Sequence, residues 1–375
     1  MKRSVIALSA LSLLFGIGMT TGAFAQNLDQ LSHEELVKRA EAEGKVVVYS
    51  FTSRIANIKK SFEAKYPKIQ VTAFDINSTQ MIARLKSEAT AGIGNADVAY
   101  ISDIPMVIED LIKPGILAKY VPPAFASKVP AEFQQPLLAN RLSTKVVMYN
   151  EEAHPNGPPV KNLWDLTRPE WRGRVVTVDP TVRGDYLDLM TEIVLRPDEM
   201  AKAYAQAFGK PIQLSGKESA GEQWLREFLA NRPVFVANTD AVNDAVGKRG
   251  QATPPIGITT YSDRRDNKSR GRALQVATGL QPATGIVFPA SFGLVKGGKN
   301  PAAARLLVHF MMGDDTPSGG AGFEPFNVAG DYPTRTDLAP HPDALPLAKL
   351  NAWRIDPVKV AATRKRVADF ILARQ

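Results

Sequence analysis

Apolar and polar positions alternate along the chain in a way that predicts strands and helices in turn. Ser32 followed by Glu35 is a capping box, Leu31, Leu36, Val37 and Ala40 supply the apolar face of a helix, and Gly44 ends it. Residues 45–51 (KVVVYSF) read as a strand, and the successive valines point to burial on both faces of a parallel sheet. A polar turn at 50–54 leads to a helix over 55–66, with Ile55, Ile58, Phe62 and Tyr66 on one side and Pro67 as its stop. Strands follow at 69–74 and 96–101. Between them runs a helix opened by Ser78 or Thr79 that carries Met81, Ile82, Leu85 and Ala89, and a short helix is expected over 107–112. This β-α-β-α-β order requires a parallel sheet with helices on both faces.

A second unit is expected after the proline-rich stretch 121–136. Strands are predicted at 145–149, 174–178, 233–237 and 256–260, with a short helical segment at 164–171. Helices are predicted over 185–195, 219–231 and from 238 to Gly247. The chain then returns toward the first unit. Residues 285–295 read as a strand pair broken by Pro289, 301–312 as a helix with Asn300 as N-cap and Pro301 at its first position, and 358–372 as a terminal helix. The expected fold is α/β, two doubly wound lobes around a cleft. Lobe 1 comprises 26–140 plus 284–335, and lobe 2 comprises 141–283 plus 336–375. Ligands favour strand ends and domain interfaces of this kind.

The opening of the chain sets the compartment. Lys2 and Arg3 precede an uncharged apolar run over 5–19, and Ala23-Phe24-Ala25 is an A-x-A cleavage site. This is the layout of a secretory signal peptide, 1–25, and the run is short for a bilayer span of about 20 residues. A periplasmic protein is expected. With no cysteine, disulfides, thiolate catalysis and lipidation at an N-terminal cysteine are excluded. The chain carries a formal +8, or +6 without Lys2 and Arg3, and its basic residues are scattered among acids. The one local run, 263–272, reads as a solvated loop, with a contact surface for a partner or anionic lipid as the sharper alternative. Nucleic-acid binding needs a concentrated stripe and a motif, and neither is seen.

Enzyme signatures fail. His33, His154, His309 and His341 are the only histidines, none at metal-ligand spacing, and no G-x-S-x-G occurs. Gly293 with Gly298-Lys299 mimics a phosphate loop, but Asn300 stands where a hydroxyl should hold the metal. No cofactor, no metal and no catalytic residue are expected.

Five motifs in order carry a family resemblance: 46–50 (VVVYS), Ala96-Asp97-Val98 with Ile104-Pro105, Leu163-Trp164-Asp165-Leu166 ahead of Trp171-Arg172-Gly173-Arg174, 293–303 (GLVKGGKNPAA), and 330–335 (GDYPTR). With them the chain resembles the type II periplasmic solute-binding proteins of ABC importers, in the group that takes ferric iron, thiamine, phosphonates, polyamines and hexose phosphates. The resemblance implies a hinged cleft that closes on one small molecule. It implies presentation to an inner-membrane permease with its cytoplasmic ATPase, by a monomer. Ferric-iron members carry two adjacent tyrosines where this chain has Thr239-Asp240. Where they often place a carboxylate before the Ile-Pro pair, it has Ser102, with Asp103 next to it. A site without phenolates or histidine is a poor ferric site.

The candidate ligand residues lie in loops at strand ends. They are Thr52, Ser53 and Arg54; Ser78; Ser102 and Asp103; Thr181, Arg183, Gly184 and Asp185; and Thr239 with Asp240. Helix N-termini offer free N–H groups and a positive dipole end, and hydroxyls with two arginines complete an anion site. The aspartates would take hydroxyl or ammonium groups of the same ligand. Serine and threonine at helix starts equally serve as caps, and Arg183 equally pairs with Asp185 or Asp188. Tyr186 reads as lobe packing. The expected function is the solute-binding subunit of an importer for a small organic anion, of sugar phosphate or phosphonate type. The alternatives are a ferric-iron, polyamine or thiamine binder of the same class, a ligand-loaded partner for a sensor receptor, and a periplasmic enzyme using Asp103 or Asp240 as general base.

Overall fold

The computed structural model describes residues 27–374 apart from Lys217. The signal segment at 1–25 lies outside the described residues. The chain runs α1 (His33–Glu43), β1 (Lys45–Ser50), α2 (Ile55–Lys65), β2 (Gln70–Asp75), α3 (Ser78–Thr90), β3 (Val98–Ile101), α4 (Ile104–Val107) and β4 (Leu117–Ala118). The long β5 (Leu138–Asn150) leads to β6 (Val175–Val178), α5 (Gly184–Leu195), α6 (Pro197–Phe208), α7 (Ala220–Ala230), β7 (Val234–Val236), α8 (Thr239–Gly247), β8 (Ile256–Thr259) and β9 (Leu274–Val276). A second long strand, β10 (Gly285–Val295), precedes α9 (Pro301–Met311), α10 (Gly320–Phe323), β11 (Tyr332–Pro333), β12 (Ala352–Arg354) and α11 (Pro357–Leu372).

The strands join in the order β2-β1-β3-β10-β5-β8-β6-β7. Each end of this path is parallel, as the βαβ pattern requires: β2, β1 and β3 at one end, and β8, β6 and β7 at the other. The middle is not. β10 and β5 run antiparallel to each other, to β3 and to β8 respectively, so the sheet is mixed rather than purely parallel. Both long strands span the two halves. The expected start of the second unit at 145 therefore falls inside a strand that begins at Leu138. Residues 285–295 form one strand, not a pair broken by Pro289. β10 meets β12 at Gly285–Val287 and β3 at Ser291–Leu294. Pro289 falls in the gap between these partners, opposite Leu142 of β5, and the register slips between Ala290 and Ser291.

Each half has its own core. In the first, Leu36, Ile58, Phe62, Phe292, Leu306 and Phe310 pack on one face of the sheet. Val47, Tyr49, Met81, Leu85 and Leu111 pack on the other. In the second, Trp164, Tyr186, Met190, Trp224, Phe228 and Ile371 share a core. The indole N–H groups of Trp164 and Trp224 donate to the Met200 and Leu163 carbonyls, so these large side chains are buried without a stranded donor.

The helix ends show which sequence signals acted. Ser32 and Glu35 form the expected capping box, and Gly44 ends α1 at φ 67°. Asn77, not Ser78 or Thr79, caps α3. Asn300 does not cap α9: its backbone N–H and side-chain amide both donate to Asp97, and the cap comes from Glu43, whose carboxylate accepts from Ala302 and Ala303 at 3.0 and 2.7 Å. The helix expected over 107–112 starts earlier, at Ile104, with Pro105 in its first turn, and widens into a π-type turn over Ile108–Ile112. The basic run 263–272 is a solvated loop only in part: Lys268, Ser269, Arg270 and Gly271 are exposed turn residues. Its first residues form a 3₁₀ turn (Tyr261–Asp266), and Arg272 is 1% exposed, with its guanidinium on Asp244.

Crossing of the two long strands depends on Gly285, where a Cβ would lie 1.9 Å from the Lys145 carbonyl oxygen. Gly285→Ala is expected to lower stability by about 1–3 kcal/mol through forced separation of β5 and β10. Urea unfolding checks this, and an unchanged midpoint would contradict the packing described.

Candidate ligand-binding site

Where the two halves face each other, at the C-terminal ends of the parallel strands, lies a cavity of about 220 Å³. Its near wall is the turn after β1. The Ser50 hydroxyl accepts from the Thr52 N–H, and the Thr52 hydroxyl accepts from the backbone N–H and Nε of Arg54, both at 3.4 Å. That turn aims Arg54 inward at the head of α2. Its floor is β5. Arg141, Ser143 and Lys145 are two residues apart, so they project from one face of the strand, into the cavity.

A single carboxylate organises the floor. Asp331, fully buried, accepts from Arg54 Nη1 and Arg141 Nη1, both at 2.6 Å. Burial opposes its charge, but Arg141 and Arg54 outweigh that effect and hold the carboxyl below its ordinary range. Arg141 is itself 0% exposed. Its Nε donates to the Tyr100 hydroxyl at 3.0 Å, its guanidinium lies over the Phe326 ring, and its Nη2 has no partner in the protein. A second cluster repeats the pattern. Asp185 takes Lys145 at 2.9 Å and Arg183 at 3.4 Å, and these two cations depress its carboxyl in spite of burial. In each cluster two cations share one carboxylate.

The far wall comes from the second half. Arg265 reaches the cavity from the basic run, tied to Asp263 at 2.7 Å, and Asp263 also accepts from Asn243. Thr239 opens α8 and meets the Tyr186 hydroxyl at 3.3 Å. Burial, then the nearby Asp185, pushes the Tyr186 phenol up, so it stays protonated. Asp75 and Asp240 sit exposed at the mouth, and Asp240 leans on Arg270 at 3.3 Å. Three helices, α2, α5 and α8, begin at this cavity, and their N-termini add positive potential.

Seven of the twelve residues singled out from the sequence line the cavity: Thr52, Ser53, Arg54, Arg183, Asp185, Thr239 and Asp240. The other five lie outside its lining, each held elsewhere. The Ser78 and Ser102 hydroxyls bond each other at 3.1 Å in a buried position. Asp103 is clamped by both guanidinium nitrogens of Arg364 at 2.5 and 3.0 Å. Thr181 donates twice to Asp179, and the Gly184 N–H donates to the Thr79 hydroxyl. The lining residues not singled out are Arg141, Ser143 and Lys145 of β5, then Asp75, Asn238, Thr260, Asp263 and Arg265, with Phe51 and Phe288. No clean alternation marks the first three: Asn140 and Thr144 beside them are polar as well, and only the strand's pairing shows which of these residues share the cavity face.

The sequence profile of the bacterial extracellular solute-binding protein family matches residues 47–317. Iron-bound HitA from Pseudomonas aeruginosa superposes with a TM-score of 0.67 at 21% identity, covering 87% of this chain and 99% of that one. The periplasmic binding protein AfuA from Actinobacillus pleuropneumoniae, with exogenous fructose-6-phosphate bound, gives 0.65 at 21% identity over 87% and 97%. The substrate binding protein of the ABC transporter from Agrobacterium tumefaciens gives 0.66 at 17% over 88% and 94%. Identities this low carry the fold alone. No match to a curated protein sequence was found. The chain belongs to the bacterial extracellular solute-binding proteins, on the type II periplasmic binding protein fold used by ABC importers.

Proposed function

We propose that this chain binds a small organic anion, of sugar phosphate or phosphonate type, in the cavity between its halves. It hands that solute to an inner-membrane ABC permease served by a cytoplasmic ATPase. In this reading the segment 1–25 is removed on export, and the protein works in the periplasm as a monomer and not as an enzyme. Lobe 1 is 26–140 plus 284–335, and lobe 2 is 141–283 plus 336–375. The observation that carries the proposal is the Arg141 Nη2 group, a buried charged donor with no protein partner. An unmade bond of this kind costs about 1–3 kcal/mol, which an anionic oxygen on the solute would offset. The two clusters in which a pair of cations shares one carboxylate support the same sign of ligand. Thr52, Ser53 and Thr239 offer hydroxyls to the remainder of the molecule, and Asp75 and Asp240 accept from its hydroxyl or ammonium groups.

The donor set also speaks to ferric iron, which HitA holds. The cavity lining contains neither histidine nor tyrosine. Two of its carboxylates, Asp185 and Asp263, are already engaged by Lys145 and Arg265. A trivalent cation would meet five cationic side chains there, a poor setting for iron. AfuA, with fructose-6-phosphate bound, demonstrates that this fold admits a phosphorylated sugar.

Titration calorimetry with fructose 6-phosphate, 2-aminoethylphosphonate, inorganic phosphate and ferric citrate is expected to find binding among the organic anions. Arg141→Gln should weaken that binding about 10- to 100-fold, the equivalent of about 1.4–2.8 kcal/mol. Equal affinity in the variant, or heat from ferric citrate alone, would defeat the assignment. Asp331→Asn, which touches no solute, should weaken binding in parallel by releasing both arginines. It should also lower the melting temperature, since breaking a buried ion pair costs about 3–5 kcal/mol. Full affinity in that variant would show that Asp331 does not hold the floor in place.

A further inference from the structure

A second contact joins the two halves beside the cavity, and none of its members lines it. Gly184, at the first position of α5 in the second half, donates its N–H to the Thr79 hydroxyl of α3 in the first half at 3.3 Å. A Cβ on Gly184 would stand 2.0 Å from Asp103 Oδ2, 2.8 Å from Asp103 Cγ and 2.5 Å from Arg364 Nη2. The backbone of Gly184 lies outside the left-handed region, so its conformation does not call for glycine. Only the approach of the opposite half does.

The carboxylate that Gly184 makes room for is not free to swing aside. Asp103, 1% exposed at the head of α4, is gripped by both nitrogens of Arg364, which is carried on α11. α11 belongs with the second half: Val367 and Ile371 pack into its core, and the helix lies along α5 while its side also touches α4. Arg364 thus reaches across from one half to the other. It has a resident partner as well, Asp188 of α5, at 3.3 Å. Burial and the nearness of Asp103 push the Asp188 carboxyl well above its ordinary range, which leaves the guanidinium charge chiefly to Asp103. With Asp188 beside it, Arg364 keeps a partner when the halves part. The same arginine therefore serves both arrangements, and neither strands it as a buried lone charge.

We propose that Gly184, Thr79, Asp103 and Arg364 form a clasp that fastens the two lobes in the closed arrangement, separately from the solute site. It rests on the reading of the chain as a two-lobed binding protein, but not on the identity of the solute. Because the contacts are made by protein groups alone, the clasp operates with the cavity free of solute. Five of the residues that the sequence placed near a ligand surround it or form part of it: Ser78, Ser102, Asp103, Gly184 and, beyond them, Asp185 at the junction with the cavity.

Small-angle X-ray scattering on the full secreted chain, stripped of solute by unfolding and refolding, tests this. The wild-type curve should match the one calculated from the arrangement of the halves described above. Gly184→Ala should shift it to a larger radius of gyration while circular dichroism and the urea midpoint stay near wild type, since alanine suits a helix start. Asp103→Asn keeps the side-chain shape and removes the charge, so it should populate the open form as well, and it covers the case in which Gly184→Ala fails to fold. A wild-type curve that is already open, or variants as closed as wild type, would overturn the proposal. Neither result depends on which solute binds, so a clasp that fails here leaves the anion site untouched, and the reverse.

Discussion

One buried carboxylate fixes the geometry on which the candidate site depends. Asp331 has no exposure, and a carboxylate in such a place is unstable by several kcal/mol unless cations meet it. Two do, from opposite directions: Arg54 from the turn after β1, and Arg141 from the middle of β5. Three segments far apart in sequence are thereby held at one point. β11, next to Asp331, pairs with β5 at Leu142 and Arg141, which carries the same constraint into the sheet. Both arginines line the cavity, and after these bonds are made Arg141 Nη2 is left without a protein partner.

Placement of that point follows from the sheet. β5 and β10 belong to both halves, and their long antiparallel contact joins the two parallel ends. A strand shared in this way can carry side chains into the space between the halves from below, at the period of two that any strand imposes. Walls come from helix starts at the ends of the parallel strands, which is where such sheets leave backbone N–H groups pointing outward. On one flank of the cavity the halves touch directly. There the surfaces approach so closely that a helix start carries glycine, and Arg364 on the last helix bridges them.

Much of this was legible in the sequence. The βαβ alternation and the capping box at Ser32 foretold the first half nearly element by element, because each signal acts within a few residues. The turn 52–54 and the pair Thr239-Asp240 line the cavity, and their places at a strand end and a helix start are local features. What escaped reading was non-local. The sequence around Asn300 announces a cap, yet Glu43, more than 250 positions away, supplies it. Asp103 and Gly184 sit at helix starts like the cavity residues, yet lie outside the lining, beside Arg364 of the distant α11. Arg265 looks like one more charge in a solvated run, and only the 3₁₀ turn at Tyr261–Asp266 directs it inward. Arg141, Ser143 and Lys145 lie in a stretch, 140–145, that is polar at five of six positions, so it did not read as part of a buried strand and the strand was expected to start at 145.

The central claim is the sign of the solute's charge, and the most direct measurement of it is native mass spectrometry of the protein purified from its own compartment without dialysis against other anions. The account predicts a retained organic molecule, phosphorylated or phosphonylated, in the cavity that Arg141 faces. Recovery of the protein with ferric iron, or with a purely cationic molecule such as a polyamine, would contradict it.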